Sequence, residues 1–89
     1  MDYDVVKQLI DNNKYDEAIQ ELNLLIETNS SDDELFYLKG KIHQCQSQWK
    51  NAINAFQKAI DLNGDSKAVA SMEMLDNIIK SLNNKIVET

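Results

Sequence analysis

Proline and arginine are missing from this sequence altogether, and glycine occurs only at positions 40 and 64. Hairpins and open sheets lean on glycine, proline and Asn-Gly turns, so a chain this poor in them reads as all-helical. Without arginine there is no guanidinium fork for phosphate or guanine. A formal charge of −6 over 89 residues further opposes nucleic acid, whose binders carry clustered cations, and opposes an anionic membrane surface. One histidine and one cysteine, His43 and Cys45, are too few for most multi-ligand metal sites. Two apart on a helix, they point in different directions, which argues against a nucleophile–base pair.

Long apolar runs are missing too. None approaches the roughly 18 residues that span a bilayer, and the opening "MDYDVVKQLI" has neither the basic start nor the apolar stretch of a secretory signal. A single thiol forms no internal disulfide and suits a reducing compartment, so the expected setting is cytoplasmic. The carboxylates gather at helix starts, as in "YDE" and "SSDDE", where they complement the dipole instead of forming a catalytic pair. Neither glycine lies in a phosphate-cradling run. No enzyme, metal or cofactor is expected.

What the chain does have is apolar residues at helical spacing along nearly its whole length. Val5, Val6, Leu9 and Ile10 mark a first helix, ended at "DNNK", where asparagine tolerates a left-handed turn. Tyr15, Ala18, Ile19, Leu22, Leu25 and Ile26 mark a second. Ser31 and Glu34 read as a capping box ahead of a third, which carries Leu35, Phe36, Leu38 and Ile42 and breaks near Gln46-Ser47. The fourth holds Trp49, Ala52, Ile53, Phe56, Ala59 and Ile60, with Gly64 as the expected left-handed cap. Asp65 or Ser66 then opens a last helix running to near Ile86.

Sliding the chain by 34 residues aligns Tyr3 with Tyr37, Lys7 with Lys41, Ala18 with Ala52, Ile19 with Ile53, Ile26 with Ile60 and Asn29 with Asn63. The matches fall on the apolar stripe and at the breaks, the mark of an internal repeat. In period and small–large pattern the chain resembles the tetratricopeptide repeat. Phe36, Lys39, Gly40 and His43, then Ala52 and Phe56, stand at the signature positions of the second copy; Val5, Val6, Leu9, Ala18 and Leu22 stand at those of the first. The resemblance implies an all-α, right-handed solenoid of five helices in one domain, 1–89: a first repeat over 1–32, a second over 33–64, and a C-terminal capping helix over 65–89. A lone hairpin cannot bury its apolar face, so the second copy and the last helix complete a shared core.

That last helix departs from the signature. Its apolar residues fall in an arc of about 160°, and its other side, with Glu73, Asp76, Asn77 and Lys80, covers the place of an absent partner helix and stays wet. Ile79, Leu82 and Ile86 at the far end of the arc are candidate contacts for a homodimer.

Tyr3 and Lys7, like Tyr37 and Lys41, are four apart and so share a helix face. The family resemblance implies that this face lines a concave groove for a peptide. The implied groove comprises Tyr3, Lys7, Tyr37, Lys41 and Gln44, joined by Ser71, Met72 and Leu75 of the last helix, with Glu34 and Cys45 near its edge. The expectation is a non-catalytic protein-binding module or adaptor, its lysines favouring acidic segments. A scaffold element that self-associates through the last helix is the alternative.

Overall fold

The computed structural model describes the backbone of residues 3–87 and the side chains of residues 3–82. Within them lie five α-helices and no strand: α1 Tyr3–Asp11, α2 Tyr15–Thr28, α3 Asp33–Cys45, α4 Trp49–Leu62 and α5 Ala68–Val87. Each helix packs on the next in chain order. Two apolar clusters result. Val6, Ala18, Leu22, Leu35, Leu38 and Ile42 join α1, α2 and α3; Ala52, Phe56, Ala59, Ala68 and Leu75 join α4 to α5, with Phe36 and Tyr37 of α3 packed against them.

The repeat is written into the backbone hydrogen bonds. Asn13 N–H donates to Ile10 and Lys14 N–H to Leu9; one period later Ser47 N–H donates to Gln44 and Gln48 N–H to His43. These are two copies of the Schellman turn, which requires a left-handed residue just past the helix. Asn13 at φ 62° and Ser47 at φ 58° supply it. In both copies the next helix starts without a side-chain cap, from Lys14 and Gln48. Ser47 lacks the local compensation that asparagine finds in this region. Ser47→Gly should therefore raise stability by about 0.5–1 kcal/mol, a Tm rise of several degrees by calorimetry; an unchanged or lower Tm would remove strain at this turn from consideration.

The second kind of junction also recurs. Asp32 N–H donates to Asn29, and Ser66 N–H to Asn63. Asp32 Oδ1 then accepts from Glu34 N–H at 3.0 Å, and Ser66 Oγ from Ala68 N–H at 3.1 Å. The cap of α3 is thus Asp32, not Ser31, and the expected capping box does not form. A carboxylate meets the helix dipole better than a hydroxyl, and the Glu34 side chain is engaged elsewhere, on Lys67. The expected left-handed cap at Gly64 is also corrected, since neither glycine has a positive φ. Asn63 makes that turn in extended conformation, its Oδ1 accepting from Asp65 N–H at 3.0 Å.

Gly40 has a different duty. A Cβ built there would lie 2.4 Å from Cε1 of Phe56, so glycine is what lets α3 and α4 close on that ring. His43, one turn on, is half-buried with Nδ1 2.7 Å from Gln48 Oε1, bonded across the same hairpin. Lys39 is half-buried, and its Nζ donates to Asn23 Oδ1 at 3.1 Å.

Candidate peptide groove

Helices α1 and α3 occupy equivalent places in the two copies, so their like-numbered faces come together. Lys7, Ile10 and Asp11 of α1, Glu34, Tyr37, Leu38 and Lys41 of α3, and Lys67 just ahead of α5 line a cavity of about 250 Å³. Leu38 is a core residue and Ile10 packs on the same cluster, which gives the cavity an apolar floor. Tyr37 is its fixed point. Its ring meets buried Phe56 at a centroid separation of 6.2 Å, tilted 38°. Above it stand two ammonium groups, Lys41 Nζ at 6.0 Å and Lys67 Nζ at 5.8 Å from the ring centroid.

Lys67 went unread in the sequence, although a signal was there. It follows cap Ser66 at the positive end of α5, where a cation is disfavoured. Its compensation is tertiary: the Tyr37 face and Glu34 Oε1 at 3.4 Å. The Lys67 side chain is 65% exposed and that of Glu34 only 18%, so the pair is screened from the lysine side and contributes on the order of 1 kcal/mol.

Of the expected groove residues, the structure brings Lys7, Tyr37 and Lys41 together and disperses the others. Tyr3 does not line the cavity: its hydroxyl donates to Asp32 Oδ2, tying α1 to the cap of α3. Gln44 is half-buried, its Oε1 without a partner among the described residues, and it too lies outside the lining. Leu75 is a correction. It is fully buried with Ala52 and Phe56, and a core side chain cannot contact a ligand. Ser71 is half-buried and outside the cavity, and Met72 belongs to a separate trough between α4 and α5. Of the expected edge residues, Glu34 lines the cavity, whereas Cys45 is exposed elsewhere, beside Tyr15.

The α4–α5 trough encloses about 360 Å³ and is lined by Ile53, Ile60, Val69, Met72 and Ile79, with Glu73 and Asp76 on its lip. The wet polar face expected of the last helix therefore borders an apolar floor. Of the candidate oligomer contacts, Ile79 lines this trough, Leu82 is 42% exposed, and Ile86 lies outside the described side chains.

The Tyr3–Asp32 bond has a measurable signature. That hydrogen bond first, then burial, then the charges of Asp32, Glu34 and Asp33 push the phenol up from 10.0 to about 12. A group whose pKa is raised by folding contributes fully below its unfolded value and loses that contribution as pH climbs through the folded one. Between about pH 10 and about pH 12, the melting temperature should fall more steeply for the wild type than for Tyr3→Phe. Parallel curves would mean that the bond contributes nothing.

No protein-family model matches the chain, and no curated protein matches it. Among solved structures it is similar to the solution NMR structure of Bacteroides fragilis protein BF1650: TM-score 0.86 and 33% identity over 90% of this chain and 83% of that one.

Proposed function

This chain belongs to the same family as Bacteroides fragilis protein BF1650, and we propose that it is a non-catalytic protein-interaction module of the tetratricopeptide-repeat type. Its α1–α3 groove holds an extended, acidic peptide segment. The observation that carries this reading is the Tyr37 platform: an aromatic ring anchored on the core, flanked by Lys41 and Lys67, with Lys7 on the same cavity. A tyrosine offers rigid contact area at low entropic cost, and lysines meet carboxylates as point charges. Three lysines outnumber two carboxylates, Asp11 and Glu34, around this cavity, and a local positive excess on a chain of net charge −6 favours an acidic ligand. The exposed thiol of Cys45 supports a cytoplasmic setting.

The test uses a fluorescein-labelled peptide rich in Asp and Glu, with a Lys-rich peptide as control. Lys7→Glu combined with Lys41→Glu should weaken the acidic peptide at least tenfold, about 1.4 kcal/mol, with helical circular dichroism unchanged. Equal binding by wild type and double variant would discard the groove.

A further inference from the structure

We propose that the α4–α5 trough is a second docking site, and that its occupant is one amphipathic helix of another protein, apolar along one stripe and edged with lysine or arginine. The chain supplies its own precedent for the shape. On α3, Phe36 packs against the α4 cluster, Gly40 lies against Phe56, and His43 bonds Gln48 at the start of α4. When the fully buried Ala68 and Leu75 of α5 are aligned with the fully buried Leu35 and Ile42 of α3, Val69, Glu73 and Asp76 take those three places. No helix among the described residues covers them. Val69 is 36% exposed, and Ile53, Ile60, Met72 and Ile79 floor the gap beside it. A surface that one hairpin earlier receives a helix is left here without one among the described residues.

Charge decides which helix. The lining carries two carboxylates and no cation. Lys80 pairs with Asp76 at 3.1 Å from outside the lining, and Glu73 has no ion pair among the described residues. A second copy of this chain would bring the same acidic lip and a net charge of −6, which oppose self-docking. A helix with basic edges meets the lip favourably. Glu73 also stands where Gly40 admits Phe56, so the visiting helix rides higher than α4 does and reaches the floor with long aliphatic side chains.

The probe is a labelled peptide of about 18 residues, with leucine at i, i+3, i+4 and i+7 and lysine at the edges. Its twin with glutamate edges and a scrambled peptide of the same lysine composition serve as controls. The lysine-edged helix should bind at least about tenfold more tightly than either. Amide shifts should map to Ile53, Ile60, Val69 and Met72, and Val69→Lys, at an exposed position, should remove binding with the circular dichroism intact. The proposal is overturned by equal binding of a control peptide, by shifts confined to Lys7, Tyr37 and Lys41, or by no binding. It is equally overturned if light scattering finds a dimer that Val69→Lys dissociates, because the occupant is then a second copy. The site is separate from the α1–α3 groove, so Lys7→Glu with Lys41→Glu should leave this binding in place.

Discussion

Replacing Phe56 by alanine should cost about 3–5 kcal/mol, a sum of lost transfer energy and the cavity left behind. Phe56 is fully buried and belongs to the cluster joining α4 to α5, yet its ring lies on Gly40 and against Tyr37 of α3. It is the side chain through which three helices meet. Small domains hold only about 5–15 kcal/mol in total, so urea unfolding at room temperature should find Phe56→Ala largely unfolded, or folded with a Tm lower by 10 °C or more. The equivalent residue of the first copy, Leu22, is also fully buried, but its helix faces no glycine-floored ring site. A loss below about 1 kcal/mol would show that the α3–α4 interface collapses around the hole, contrary to the tight approach seen at Gly40.

The second large effect comes from the other side of that contact. Alanine is a better helix former than glycine by about 1 kcal/mol, so an open position would gain from Gly40→Ala. Here the new methyl would sit 2.4 Å from Cε1 and 2.5 Å from Cδ1 of a ring that is itself enclosed. Overpacking of this kind costs about 1–3 kcal/mol, and we expect a net loss despite the propensity gain. A shorter partner should relieve it. In a double-mutant cycle, Gly40→Ala should be less damaging in a Phe56→Leu background, with a coupling energy of about 0.5–3 kcal/mol. Strict additivity would mean that the two residues do not share the space.

Much of this contact was legible from the residues alone. Gly40, Ala52 and Phe56 stand at the small–large spacing of a closely packed helical repeat, and Asn13 and Gln46-Ser47 are readable as breaks. What did not survive translation was the bearing of α5. A shift of 34 from Lys41 lands on Leu75 and suggests a groove residue, but Leu75 is buried as Ile42 is, at a shift of 33. The cap obeys the longer period, Asp32 to Ser66, while the apolar stripe obeys the shorter. One residue is about 100° of helix turn, so α5 is rolled relative to the place its cap would assign it. A period measured on two copies carries no information about a roll in the third.

The same discrepancy explains the dispersal of the implied groove. Lys7, Tyr37 and Lys41 lie on helices that obey one period and meet as expected. A shift of 34 carries Tyr37, Leu38 and Lys41 onto Ser71, Met72 and Leu75, whereas at the shift of 33 that the apolar stripe of α5 obeys, Met74, 60% exposed, takes the position equivalent to Lys41. Tyr3 failed for another reason. Asp32, a partner 29 residues away, captures its hydroxyl, and no local pattern announces so distant a hydrogen bond.

The paired Schellman turns have a further consequence, for how such a chain can lengthen. Lys14 and Gln48 leave their turns with the same donors, acceptors and backbone handedness. The stretch 14–47 is therefore bounded by interchangeable joints. A tandem duplication of that stretch closes each seam on geometry the chain already possesses, and growth of the array requires no new linker to be invented.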